Sequence, residues 1–210
     1  MRKFAILACA ALLLAACETG RPYRGERAAM HPAMRHDMPQ RPAVPMQESA
    51  PVRIASSGTG VLASAEAGNY MDQEERELRQ RLRSVSVRRQ GDNILVTIGN
   101  DILFDTASAD LSLRAGQIVA AMADVLMRYN KTFVQVGGYS DTTGSPDQNL
   151  KLSEARAQAM AERLTDRGVD RARVSEQGYG ETHLKIPTGD HVNEPRNRRV
   201  EIRIVPHTEG

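Results

Sequence analysis

Phe133-Val134-Gln135-Val136-Gly137-Gly138-Tyr139-Ser140-Asp141-Thr142-Thr143-Gly144-Ser145-Pro146 is the stretch on which the fold turns. Three of its first four residues are apolar and β-favouring, and the four read as a strand. Two glycines and a Ser/Thr/Gly-rich loop follow, and a helix is predicted from Pro146 or Asn149 to Arg167, stopped by Gly168. Leu152, Ala155, Ala159 and Leu164 are expected to supply much of its buried face.

Upstream, Met71 to Arg83 is rich in Glu, Arg, Gln and Leu and predicts a short helix. Val85-Ser86-Val87 and Ile94-Leu95-Val96-Thr97-Ile98 flank Gln90-Gly91-Asp92-Asn93, the pattern of a hairpin. Ile102-Leu103-Phe104 reads as strand-like. A helix is expected from Ser112 to Tyr129, with Ile118, Met122, Val125, Leu126 and Tyr129 on one stripe. Downstream, Val174 to Tyr179 reads as a strand. From Arg199 to Val205 the chain alternates, placing Val200, Ile202 and Ile204 on one face. The order strand, helix, strand, helix, strand, strand predicts an α/β (α+β) sandwich, βαβαββ, whose mixed sheet carries helices on one face.

The first seventy residues differ from the rest. Arg2 and Lys3 precede an apolar run from Phe4 to Ala16, shorter than the about 20 residues of a spanning helix. A positive start, an apolar stretch and small residues at its end describe a secretory signal. Leu14-Ala15-Ala16-Cys17 resembles a bacterial lipobox, which implies cleavage after Ala16 and acylation of Cys17; Glu18, in place of Asp, implies sorting to the outer membrane. Several acyl chains exceed the two signals that stable anchoring needs. Pro22, Pro32, Pro39, Pro42, Pro45 and Pro51 punctuate a segment without periodicity, expected to be a disordered tether. As a flexible coil, about 50 residues reach roughly 40 Å. The expected organisation is a signal peptide over 1–16, a lipidated Cys17 and tether over 17–68, a helix and hairpin lead-in over 69–92, and a domain over 93–206.

Composition narrows the chemistry. Net charge is +2 and there is no Trp, with three Phe and five Tyr, so nucleic acid is not an expected partner. Both cysteines, Cys9 and Cys17, precede the tether, so no thiol is available for catalysis, metal or disulfide in the domain. His31 and His36 lie five apart in the tether without a thiol companion, a weak signal, and no metal or cofactor is expected. The chain carries no Ser-Xaa-Xaa-Lys and no His-Glu-Xaa-Xaa-His, and His183, His191 and His207 fall in loop or tail positions. The expectation is a binding module, not an enzyme.

Asp141 in the loop and Arg156 on the following helix are the candidates for binding. An acid and a planar guanidinium a short distance apart can hold the ammonium and carboxylate of a free amino-acid head group. Free N–H groups at the helix start would favour the carboxylate as well. Taken singly, Asp141 could be a turn cap and Arg156 a surface helix residue. Arg199, Glu201 and Arg203 read as an exposed strand face, and Asp105 as a structural residue that could also touch ligand.

Five segments carry a resemblance. They are Phe104-Asp105 with Ser108-Ala109-Xaa-Leu111, Ser140-Asp141-Xaa-Xaa-Gly144, Asn149-Xaa-Xaa-Leu152-Ser153-Xaa-Xaa-Arg156-Ala157, Gly178-Tyr179-Gly180-Glu181 and Asn197-Arg198-Arg199-Val200-Glu201-Ile202. Over residues 93 to 205 the chain resembles the C-terminal peptidoglycan-binding domain of the OmpA, Pal and MotB family. Tyr70-Met71-Asp72 and the helix after it look like its stand-alone lipoproteins. The resemblance implies a ligand, the diaminopimelate of the wall's stem peptide, with Asp141 taking its ammonium and Arg156 its carboxylate. Thr143 and Asn149 match supporting polar contacts. Arg198 matches the basic residue of the last strand that reaches the site, with Arg199 as the other candidate. Tyr139 departs from the His that many members carry there. The implied function is an outer-membrane lipoprotein, on the periplasmic face, that tethers the membrane to peptidoglycan; the alternative is a periplasmic scaffold whose domain positions a protein partner.

Overall fold

The computed structural model describes residues 61–104 and 108–208. The expected signal peptide, Cys17, the tether up to residue 60, His31, His36 and Asp105 lie outside the described residues.

Helix α1 (Ser64–Arg81) opens the described chain. The order then runs β1 (Ser86–Gln90), β2 (Asn93–Gly99), α2 (Asn100–Leu103), α3 (Leu113–Arg128) and β3 (Thr132–Tyr139). After α4 (Pro146–Asp166) come a 3-10 turn at Arg171–Arg173, β4 (Val174–Gly178) and β5 (Arg199–Pro206). The strands form one mixed sheet in the order β1-β2-β5-β3-β4, with β3 and β4 parallel and joined by α4. The last strand, β5, lies between β2 and β3, antiparallel to both.

The α/β sandwich expected from periodicity is the observed one. Val200, Ile202 and Ile204 are fully buried, beside Ile94 and Val96 of β2 and Val134 and Val136 of β3. Met71 and Leu78 of α1, Met122, Val125 and Leu126 of α3, and Met160 and Leu164 of α4 close the same core. Burying each such side chain is worth about 1.5–3 kcal/mol. The hairpin turns through Gly91-Asp92, with Gly91 at φ 59°, a left-handed conformation that glycine adopts without steric cost. Ser112 caps α3 by accepting from the Ala115 N–H, as its position before the apolar stripe predicts.

Three expectations are corrected. Order begins before residue 69: Leu62 is buried and its N–H donates to the His207 carbonyl at 2.7 Å. α1 starts at Ser64, seven residues before Met71, because Ala65-Glu66-Ala67 favours helix and Met71 and Leu78 anchor the face they extend. Ile102-Leu103-Phe104 is not a strand: Asn100–Leu103 is one helical turn, and only Phe104 makes a bridge, to Leu111. A three-residue apolar run cannot separate the two conformations. Finally, the buried face of α4 is Asn149, Ser153, Arg156, Ala157, Met160, Ala161 and Leu164, so Ala155 is exposed and Leu152 and Ala159 only half-buried. Three of the residues turned inward, Asn149, Ser153 and Arg156, are polar, which moves the stripe off the one drawn by apolar residues alone.

Candidate functional site

The pocket lies where β3 ends, α4 begins and β5 begins. Two glycines allow this approach: a Cβ on Gly138 would meet the Ser153 carbonyl, and one on Gly178 would meet Glu154. The Ser153 hydroxyl accepts from the Gly180 N–H at 2.8 Å, fastening the loop after β4 to α4. Loop 140–145 is fixed from the other side. The Thr142 hydroxyl donates to the Gly189 carbonyl at 2.7 Å and accepts from the Val192 N–H at 3.0 Å, while the His191 N–H donates to the Thr142 carbonyl.

Ser145 and Gln148 form a capping box at the start of α4, with Pro146 at its first turn. Gln148 therefore spends its N–H on the Ser145 hydroxyl, and Pro146 has none to offer. The expected reservoir of free N–H groups for a carboxylate gives way to a self-capped terminus.

Asp141, Thr143, Asn149, Arg156 and Arg198 all line one cavity of about 720 Å³, together with Asp101, Phe104 and Asn193. Asp141 is only 2% exposed. Its Oδ1 accepts from the Thr143 N–H at 3.2 Å and from the Thr143 hydroxyl. Its Oδ2 accepts from Arg198 Nη1 at 2.6 Å. Burial pushes the carboxyl pKa up, but the Thr143 hydroxyl, the Arg198 guanidinium and the Thr143 N–H together hold it below the ordinary value. Asp141 is thus a carboxylate at neutral pH.

Asn149 lines the cavity, and its side-chain nitrogen holds the loop. Its Nδ2 donates to the Asp141 carbonyl at 3.2 Å and to Glu181 Oε2 at 2.7 Å. Arg156 is 5% exposed, not the surface residue its place on a charged helix allowed. Its Nε donates to the Ser108 carbonyl at 3.0 Å and its guanidinium lies 5.3 Å from the Phe104 ring centre. Burial and the nearby Arg198 charge lower its pKa, opposed by Asp101 and Asp141. Held from the Nε side, this fork turns its remaining donors to the cavity.

The two arginine candidates at the start of the last strand part company. Arg198 reaches the cavity, with Asp141, Asn193 and Asp101 around it; Arg198 Nη2 is 3.7 Å from Asp101 Oδ1. Arg199 alternates to the far face of the sheet, where its guanidinium lies 3.9 Å from the ring centre of Tyr139 and its Nε donates to Glu201 at 2.7 Å. Arg199 and Glu201 are buried, which corrects the exposed-face expectation; Arg203 is half-buried. Tyr139 stacks on Tyr179 at 5.0 Å on that same face, so it does not border Asp141's carboxylate.

Asp101 and Asn193 were not singled out in the sequence. Asn193 sits in an irregular loop, and Asp101 precedes an apolar run like any solvent-side acid. The Gly180-Glu181 pair was visible as a motif, but its part in holding Asn149 was not.

Residues 103–198 match the OmpA family. Over 141 residues the chain is 40% identical to a protein of Escherichia coli (strain K12) named "Probable lipoprotein YiaD", covering 66% of this chain and 64% of that protein. It is 34% identical over 104 residues to the peptidoglycan-associated lipoprotein of Mesorhizobium japonicum, covering 50% of this chain and 62% of that one. Each alignment thus spans less than two thirds of the relative's length. A crystal structure described as a MotB-like protein from Desulfovibrio vulgaris has a TM-score of 0.61 at 20% identity, over 68% of this chain and 98% of that one. At that identity the likeness concerns the fold.

Proposed function

We propose that this chain, whose residues 103–198 match the OmpA family, binds peptidoglycan noncovalently as a lipid-anchored protein of the bacterial outer membrane. The ligand is the free amino-acid end of diaminopimelate in the stem peptide. Asp141 receives the ammonium and Arg156 the carboxylate, while Thr143 and Asn149 fix the loop that presents Asp141. Arg198 completes the wall of the cavity. Acyl chains on Cys17 hold the other end of the chain in the periplasmic leaflet, so the whole tethers membrane to wall. The protein acts as a binder, not a catalyst.

The observation that carries this reading is the meeting of one buried carboxylate and one buried guanidinium in a single cavity, with the arginine's outer donors free of partners among the described residues. A zwitterionic head group is the ligand that such a pair complements. The names of relatives, a lipoprotein and a peptidoglycan-associated lipoprotein, support the same reading.

The test is co-sedimentation of the full chain, solubilised in detergent, with purified sacculi. Wild type should pellet, and Asp141→Asn and Arg156→Lys should remain in solution. Folded wild type that stays soluble would end the wall-binding reading and favour a periplasmic scaffold that positions a protein partner.

A further inference from the structure

Resting on the wall-binding reading, we infer that Arg198 is an internal stand-in for the ligand's ammonium, a latch on Asp141 that a zwitterion can displace and a simple amine cannot. Both oxygens of Asp141 are engaged within the chain: Oδ1 by Thr143 and Oδ2 by Arg198 Nη1 at 2.6 Å. With only 2% of Asp141 exposed, an incoming ammonium has to take the place that Arg198 fills.

Arg198 has somewhere to go. Its main chain is fixed, since its carbonyl accepts from the Asn100 N–H at 3.1 Å and β5 begins at the next residue. Its side chain is 24% exposed and its Nη2 already stands 3.7 Å from Asp101 Oδ1, an acid that is 71% exposed at the rim. A change of side-chain rotamer exchanges Asp141 for Asp101 and leaves the strand where it is.

Selectivity follows from what the exchange gains. A monocation that replaces Arg198 on Asp141 swaps one charge pair for a similar one and gains little. A zwitterion makes the same swap and adds a carboxylate on the Arg156 fork, a charge-assisted and bidentate contact. The latch therefore sets a threshold that only a ligand with both charges crosses. It also explains why two arginines and two acids share one small cavity: the second pair is the latch and its rest position.

Calorimetric titration of the full chain with meso-diaminopimelic acid and with 1,5-diaminopentane, the same carbon chain without carboxylates, tests this directly. Wild type should bind the first and not the second. Arg198→Ala should bind diaminopimelic acid about tenfold more tightly, the order of one charge-assisted hydrogen bond, and acquire measurable affinity for the diamine. Asp101→Asn should weaken diaminopimelic acid binding when Arg198 is present and have no effect when it is alanine, a non-additivity that a merely local charge effect would not give. Arg198→Gln, with thermal unfolding of each variant, guards against misfolding. Weaker or unchanged binding by folded Arg198→Ala overturns the latch and makes Arg198 a direct ligand contact or a bystander. Failure of wild type to bind either diaminopimelic acid or sacculi overturns the wall-binding reading and the latch with it.

Discussion

A Cβ placed on Gly138 would stand 2.1 Å from the Ser153 carbonyl oxygen. The end of β3 and the first turns of α4 touch through their backbones, and Asp141 and Arg156 each lie three residues from that contact. The separation between acid and guanidinium is thus set by two main chains, not by flexible side chains. Gly178 repeats the approach on β4, where a Cβ would lie 2.4 Å from Glu154 Cγ.

Gly138→Ala should accordingly cost stability and binding together. Backbone cannot yield as a side-chain tip can, so α4 has to shift; over-packing of this kind costs about 1–3 kcal/mol or more. Urea unfolding should show a lower midpoint, and sacculus binding should fall even under conditions where the variant is fully folded. A stable Gly138→Ala chain that binds normally would mean that the contact does not set the pocket.

Arg156→Lys separates charge from geometry. Lysine keeps the cation but cannot donate to the Ser108 carbonyl and to a carboxylate as one planar fork. Loss of one charge-assisted contact predicts about a tenfold or greater fall in affinity. Stability should drop by about 1 kcal/mol, because the Ser108 carbonyl loses its donor and Phe104 part of its cover. Equal losses with Arg156→Lys and Arg156→Ala would support the fork; full binding by lysine would reduce the site to a point charge.

Cys17→Ala addresses the other end of the proposed tether. It should abolish incorporation of labelled palmitate and leave the chain out of the outer-membrane fraction. Continued labelling would remove the lipobox from the account.

Arg173 makes a different prediction, about the core. It is buried and donates to the Thr132 carbonyl at 2.7 Å, the Leu126 carbonyl at 2.8 Å, the Tyr129 carbonyl at 2.9 Å and the Thr132 hydroxyl at 3.0 Å. Arg173→Met would remove the side-chain donor of the Thr132 and Leu126 carbonyls at the junction of α3 and β3 and leave the Tyr129 carbonyl only the Thr132 hydroxyl. The expected cost is about 3–5 kcal/mol, read by denaturant unfolding. A loss below about 1 kcal/mol would mean that water replaces the guanidinium without strain.

Much of this architecture was legible because its signals are local. The alternation of Val200, Ile202 and Ile204 gave a strand and its buried face, and the stripe through Ile118, Met122 and Val125 gave a helix. What was not legible depends on partners far along the chain. Ser153 turns inward because Gly180 offers an N–H, and Arg156 because Ser108 offers a carbonyl. Nothing within α4 records either. Arg198 and Arg199 are neighbours of identical chemistry, and only the pairing of Tyr139 with Arg199 across β3 and β5 decides which faces the cavity. Asp101 was missed for the same reason: its meaning comes from Arg198, almost a hundred residues away.

Glu74 gives the pH dependence. It is fully buried on α1, and neither carboxylate oxygen has a hydrogen-bond partner among the described residues. Burial raises its pKa to about 8, against the pull of Arg173 and Arg89. Between the ordinary value of 4.5 and about 8, the folded chain holds a proton that the unfolded chain releases. The contribution to stability is therefore fully present below the unfolded pKa and is lost as pH rises through that window, by up to about 1.4 kcal/mol per unit. Glu74→Gln keeps the shape and removes the titration, so it should match wild type near pH 4.5 and exceed it by a few kcal/mol near pH 8. Urea midpoints of both chains across that range decide the matter. Parallel profiles would mean that Glu74 is ionised throughout, with Arg173 as its counter-charge, and the same experiment in an Arg173→Met background would then lose the parallel.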